Sequence, residues 1–234
     1  MSTLTITGNN TFRVNSATLG GGIASEYSVL NFTGIVTFKY NSAEDGGGIY
    51  AQRSILNFSG SSNFGNNLAE YGGGIYAVSN ALMNFNGNSI FENNSAASYG
   101  GGIGASYNTL VNFNGKTTFK NNSAARSGGG IDAFVNTLIN FNGDNTFRNN
   151  SAGHGGGIYI QRSTLNFSGN STFENNSAER LGGGLCAAGK ALMNFNGNNI
   201  FRNNSAKNGG GIYTEDNSTL NFSGNMQFFW KQFS

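Results

Sequence analysis

A repeat of 26 to 28 residues runs the length of this 234-residue chain, and it constrains the fold more than any single residue does. Eight times the sequence reads Phe-x-x-Asn, then Ala, then Gly-Gly-Gly-Ile (Leu in one copy), then Asn-Phe-x-Gly. The first pass is Phe12, Asn15, Ala17, Gly20-Gly21-Gly22-Ile23 and Asn31-Phe32-Thr33-Gly34; the last is Phe201, Asn204, Ala206, Gly209-Gly210-Gly211-Ile212 and Asn221-Phe222-Ser223-Gly224. A unit this short cannot bury its apolar face alone, so the copies must stack on one another. Of the 37 glycines, 24 stand in the triplets and nine close Asn-Phe-x-Gly or its first-copy relative Thr5-Ile6-Thr7-Gly8, so glycine here is positional and not the mark of a loose linker. Two repeat positions take 17 of the 20 phenylalanines, which a disordered chain would lack. Proline is absent, as suits backbone paired throughout.

Each repeat holds three short strand-like pieces between turn residues. In the seventh copy they are Leu165-Asn166-Phe167, Thr172-Phe173-Glu174-Asn175 and Gly183-Gly184-Leu185-Cys186-Ala187. No 3.6-residue period is present, and Asn, Gly and Ser break the pieces at strand length. The expected fold is an all-β, right-handed parallel β-helix with three strands per coil, eight full coils and a partial ninth, because parallel crossovers are overwhelmingly right-handed. At about 4.8 Å per coil, such a rod is roughly 40 Å long. Residues 1–234 read as a single domain, a fragment of a longer protein, with 225–234 as an irregular tail or cap.

Strand alternation assigns the faces. The aliphatic two before each Asn-Phe phenylalanine (Leu30, Leu56, Met83, Val111, Ile139, Leu165, Met193, Leu220) points inward with that Phe. In the third strand Ile75 points in, Tyr76 out and Ala77 in. Alternation also turns the middle Gly of each triplet inward, where it is expected to leave room for a Phe ring. The Asn three after Phe (Asn15, Asn41, Asn67, Asn94, Asn122, Asn150, Asn176, Asn204) recurs at one turn and is expected to form an amide ladder.

These motifs resemble the repeats of the chlamydial polymorphic outer-membrane proteins, defined by Phe-x-x-Asn and Gly-Gly-Ala-Ile, the latter present here as Gly-Gly-Gly-Ile with Leu185 in one copy. The resemblance implies a right-handed β-helix exported as an autotransporter passenger, placed at the outer membrane or cell surface and used in adhesion to host cells or their glycans. The chain itself shows no signal peptide and no translocating barrel.

Chemistry has little to work with. One histidine, His154, precludes a His-based metal cluster or a catalytic set with a second imidazole, and reads as a solvated turn residue. The lone Cys186 reads as a small residue at a position often held by Tyr. Net charge is +2 with 10% charged residues and no basic block, which argues against nucleic acid. No apolar run approaches the roughly 18 residues of a membrane helix. Glu44 and Glu70 share a register on adjacent coils, a spacing that would suit a retaining glycosidase, but no long loop builds a cleft around them. After the second-strand Phe, Glu92 should meet Lys120, and Glu174 should lie between Arg148 and Arg202, as register-fixing surface pairs.

Two exposed arrays remain as binding surfaces. One is the outward tyrosine file, Tyr50, Tyr76, Tyr159 and Tyr213, able to stack on sugars. The other is a lattice of polar side chains flanking each inward Phe, typified by Asn84/Asn86, Asn112/Asn114 and Asn140/Asn142, whose plain reading is amide ladders. The favoured function is a non-catalytic, surface-exposed attachment scaffold, monomeric or stacked end to end, with no cofactor and no metal. A polysaccharide-active enzyme and an ice-binding solenoid are the alternatives.

Overall fold

The computed structural model describes residues 1–229. It is a right-handed parallel β-helix of about eight coils, with no helical segment among the described residues. Three parallel sheets run along it. The first holds nine strands, from Ser2–Ile6 to Thr219–Phe222, eight of them carrying Asn-Phe. The second holds nine strands, from Asn10–Arg13 to Met226–Phe229, eight of them opening Phe-x-x-Asn. The third holds the eight strands that follow the glycine triplets, from Ile23–Glu26 to Ile212–Thr214. Coils are numbered here by their triplets, so Gly20–Gly22 lies in coil 1 and Gly209–Gly211 in coil 8. Each strand pairs with its counterparts one coil away, residue for residue: Phe85 opposes Phe58 and Phe113, and Phe91 opposes Phe64 and Phe119.

A fourth sheet joins these three. Five short strands, from Leu68–Tyr71 to Ser177–Leu181, lie between the ladder asparagine and the triplet. Their Ser-Ala-x-x sequences carry no apolar alternation, which is why three strands per coil is what the sequence suggests.

Two columns of phenylalanine fill the interior. Successive rings within a column stack nearly parallel, with centroids 4.6 Å apart for Phe58 and Phe85 and 4.7 Å for Phe91 and Phe119. Between columns the rings meet edge to face, as Phe85 and Phe91 do at 6.0 Å and 78°. Both arrangements suit the ring quadrupole, because stacking at strand spacing is necessarily offset. Phe32, Phe38, Phe58, Phe64 and their counterparts through Phe201 are at most 1% exposed. The aliphatics from Leu30 to Met193 and the isoleucines from Ile49 to Ile158 complete the core, as alternation expects.

The asparagine ladder is present and fully used. Asn122 is 0% exposed. Its Nδ2 donates to Asn150 Oδ1 (3.1 Å) and to the Phe91 carbonyl one coil back (2.8 Å). Its Oδ1 accepts from both the backbone N–H (2.9 Å) and the Nδ2 (3.0 Å) of Asn94. The residue before each ladder asparagine has positive φ, as at Asn121 (55°), which puts a left-handed corner inside Phe-x-x-Asn and explains why Asn so often fills that place as well.

The glycine triplet differs from the expectation. It is the third glycine that faces the phenyl column. A Cβ on Gly102 would lie 2.9 Å from Phe119 Cδ1 and 2.5 Å from the Gly130 carbonyl oxygen. The middle glycine instead passes against backbone, so that a Cβ on Gly129 would meet the Ser151 carbonyl oxygen at 2.5 Å. The first glycine takes a left-handed conformation, φ 68° at Gly128. The second and third glycines are bends that lead into the strand beginning at Ile131, so alternation does not extend back to them and the inward assignment shifts by one residue.

Coil length varies only at two places. The corner between third and first strands uses one left-handed residue in short coils (Arg53, Arg162) and two in longer ones (Ser79-Asn80, Tyr107-Asn108, Val135-Asn136). The segment between ladder asparagine and triplet carries the other extra residue, which shifts register between Ala96 and Tyr99. At the C-terminal end, Met226–Phe229 is a regular strand on Asn199–Arg202, with the Phe228 ring 5.4 Å from Phe201. The irregular tail expected from residue 225 therefore does not begin before 230, and 230–234 lie outside the described residues.

Candidate binding groove

Outward-facing and exposed turn out to be different properties on the third sheet. The outward file reads Ala24, Tyr50, Tyr76, Gly104, Asp132, Tyr159, Cys186, Tyr213, one residue per coil. Tyr50 is 7% exposed, so the expectation that it offers a free ring to solvent is not met. Tyr76 lies across it (6.2 Å, 43°), and burial pushes the Tyr50 phenol up from its ordinary value. The corner beside this sheet, where the triplet bends and the fourth sheet begins, covers what alternation alone would leave open. Cys186 is fully buried there, its thiol pushed up to about 12 by desolvation and then by Glu215. Tyr213 lies beyond this covered stretch, with its hydroxyl 3.4 Å from Glu215 Oε2.

In the middle of the rod the cover opens into a groove of about 850 Å³. Its floor is the third-sheet file where Gly104 and Asp132 replace tyrosine, and its far flank is the fourth sheet, where Tyr71, Tyr99, Ser127 and His154 follow one another up the coils. Gly104 makes the opening: a Cβ there would already lie 3.0 Å from Tyr76 Cδ2. Tyr76 bounds one end of the gap and Tyr159 the other. Burial raises the Tyr76 phenol to about 12 and pushes Tyr159 further up. Tyr71 stacks between Tyr76 and Tyr99 (5.7 Å to each), and the Arg126 guanidinium covers Tyr99 at 5.7 Å while donating to its hydroxyl at 3.0 Å. His154, expected as a solvated turn residue, is half-buried at the end of strand Ser151–His154 and meets the edge of Tyr159 at 6.4 Å.

Asp132 is the chemical centre of the groove. It is 7% exposed, and the Ser127 hydroxyl donates to its Oδ2. Desolvation lifts the carboxyl from 3.8 to about 7, with the Ser127 hydrogen bond opposing the rise. Sequence reasoning passed over Gly104 and Asp132 because single substitutions at a variable position look like noise. The signal was there nonetheless: they are consecutive departures from Tyr in adjacent coils.

The asparagine lattice lies on another face, the first sheet. Asn112 Nδ2 donates to Asn84 Oδ1 and Asn140 Nδ2 to Asn112 Oδ1, each at 2.9 Å and half-buried. The outer file is exposed and equally ordered: Asn114 to Asn86 and Asn142 to Asn114, both 2.7 Å. These amides are engaged with one another along the rod, as the plain reading has it. The surface ion pairs also form, Lys120–Glu92 at 2.6 Å and Glu174 between Arg202 (3.1 Å) and Arg148 (3.7 Å). Glu44 and Glu70 sit on adjacent coils, the Glu70 N–H donating to the Glu44 carbonyl at 2.8 Å, and neither lines the groove. Among the described residues, no three His, Cys, Asp or Glu side chains gather as metal ligands. Nor is any helix among them long and apolar enough to cross a membrane.

Fold and groove together define a parallel β-helical repeat protein with a side-on recess. The family model of the Chlamydia polymorphic membrane protein repeat matches at six places, residues 35–52, 88–106, 116–133, 146–161, 164–188 and 200–215. The matched coils are similar to polymorphic membrane protein repeats, the resemblance that the Phe-x-x-Asn and Gly-Gly-Gly-Ile motifs carry. No curated protein and no solved structure matches the chain.

Proposed function

We propose that this β-helix is a non-catalytic attachment module displayed at the bacterial surface, and that it recognises a host-cell partner through the groove over coils 3 to 7. The similarity to polymorphic membrane protein repeats supports a surface location, and a rigid rod suits display. One observation carries the choice of groove: Gly104 and Asp132 interrupt the tyrosine file and leave a recess bounded by Tyr76 and Tyr159. Recesses with apolar walls and a few placed polar groups are where ligands bind. The asparagine lattice serves the rod itself, since its amides are spent on one another.

Attachment of protein-coated beads to cultured host cells tests this. Gly104→Tyr, which restores the residue found in neighbouring coils and fills the recess, should abolish attachment. The double variant Asn114→Ala/Asn142→Ala should leave it intact. The reverse outcome would move recognition to the lattice, and absence of attachment by the unaltered protein to any cell type would refute the adhesive reading.

A further inference from the structure

The carboxyl of Asp132 is buried and has no counter-charge. Ser127 is its one hydrogen-bond partner among the described residues, and no basic side chain acts on it. Two arginines line the groove, Arg126 and Arg180; Arg126 is held by the Tyr99 ring and hydroxyl, and neither acts on the Asp132 carboxyl. A buried carboxylate without a cation is costly, because desolvation is not repaid by any attraction. The groups around it are the sort that hold a cation: Tyr159 on the next third-sheet strand, Tyr76 two strands the other way, and Tyr99 and His154 on the facing fourth sheet. Tyrosine faces attract guanidinium groups through their quadrupole, and this chain uses that contact three times on its own surface, at Arg13–Tyr40, Arg53–Tyr27 and Arg126–Tyr99. Gly104, on the strand next to Asp132, brings no side chain to the floor, and the Tyr76 ring leans over it, its Cδ2 3.0 Å from where a Cβ would stand.

We propose that the recess over Gly104 is a socket for one arginine side chain of a partner polypeptide, its guanidinium paired with Asp132 and flanked by Tyr76 and Tyr159. The planar fork of arginine matches a carboxylate two hydrogen bonds at a time and stacks on rings, which a lysine ammonium does less well. Burial with no cation beside it is what raises the Asp132 carboxyl, and a paired guanidinium would lower it again. This inference rests on the groove being the recognition surface.

The probe is the capped peptide acetyl-Gly-Gly-Arg-Gly-Gly-amide, with its citrulline counterpart as the uncharged isostere and cellotriose as a neutral saccharide. Binding is followed by titration calorimetry and by the ring proton resonances of Tyr76 and Tyr159. The arginine peptide should shift those resonances saturably, and the citrulline peptide should bind at least about tenfold more weakly. Asp132→Asn, which keeps shape and can still bond Ser127, should cost the arginine peptide at least about tenfold while the far-ultraviolet spectrum of the sheet is unchanged. Equal binding of the two peptides, an unaffected Asp132→Asn variant, no shift at 10 mM peptide (about the limit of weak recognition), or binding of cellotriose in place of the arginine peptide would each overturn the socket. Cell attachment separates the two readings. If Gly104→Tyr abolishes attachment and Asp132→Asn does not, the groove stands and the arginine socket falls; if neither variant matters, the groove itself is refuted.

Discussion

Replacing Asn122 by alanine tests what holds successive coils together. Its side chain makes four hydrogen bonds: Nδ2 to Asn150 Oδ1 and to the Phe91 carbonyl, and Oδ1 from the backbone N–H and the Nδ2 of Asn94. Alanine removes all four, and their cost is unequal. Asn150 Oδ1 keeps the Asn122 backbone N–H (3.0 Å), and Asn94 Nδ2 keeps the Phe64 carbonyl (3.0 Å). The Asn94 backbone N–H keeps nothing described, and Asn94 is 0% exposed, so water cannot replace the lost acceptor without entering the core. An orphaned buried donor costs about 1–3 kcal/mol, and each lost bond with a surviving alternative about 0.5–1 kcal/mol, which gives roughly 3–5 kcal/mol in all. Asn142→Ala is the control. It removes an equally short ladder bond (2.7 Å) from an exposed amide that water can satisfy, and should cost no more than about 0.5 kcal/mol. Urea unfolding followed by circular dichroism measures both. Because repeat arrays can unravel in segments, midpoint and slope must both be compared. If Asn122→Ala is no more destabilising than Asn142→Ala, burial is not what gives the inner ladder its strength, and the reasoning fails.

Three further outcomes follow from the same structure. Gly102→Ala pushes a methyl to within 2.9 Å of the Phe119 ring and should lower the melting temperature by about 5–10 °C, whereas Gly65→Ala, with only Lys39 methylenes at 3.5 Å, should change it by under about 2 °C; equal shifts in calorimetry would refute the close-approach account. Asp132 has a folded-state pKa of about 7 against 3.8 unfolded, so the folded protein holds a proton that the unfolded chain releases. Stability should therefore fall as pH rises from about 4 to 7, by a few kcal/mol, and the slope should vanish in Asp132→Asn; Glu179, His154, Arg126, Arg180 and the tyrosines Tyr71, Tyr76, Tyr99, Tyr107 and Tyr159 also line the groove, and a slope unchanged in the variant would assign it to groups other than Asp132. Cys186, fully buried with a raised pKa, should resist Ellman's reagent at pH 8 until the protein is unfolded; rapid labelling of the native protein would show that its cover opens.

Much of the architecture was legible because the period is short and its fixed residues are large or chemically distinct. Phe91 and Asn94 each have one place to go in a stacked coil, and they go there. The fourth sheet was not legible, since Ser95-Ala96-Ala97-Ser98-Tyr99 offers backbone pairing without apolar alternation. The triplet misled because alternation was counted from Ile131 back through Gly130 and Gly129, which bend ahead of the strand that begins at Ile131 and so lack its alternation. For the site, alternation gave the right direction for Tyr50, Tyr76 and Tyr159. It gave no account of cover, which depends on how the fourth sheet closes over the corner. Asp132 was invisible for a related reason: a carboxyl on an outward position reads as solvated unless the chain beyond it is already in place.

Length variation confined to two turns has a consequence for how such a rod can change. The phenyl columns and the inner amide ladder take one residue per coil whether the coil has 26 or 28, so a coil removed or duplicated whole leaves its neighbours meeting the same groups as before. The groove obeys no such rule. Tyr76, Gly104, Asp132 and Tyr159 come from four consecutive coils, and each contributes a single letter to it. Deleting the coil that carries Asp132 would set Gly104 beside Tyr159 and erase the socket with the core undisturbed. The contacts that hold coils together repeat alike at every step, whereas the groove takes a different residue from each coil, so stability and the proposed recognition can drift independently.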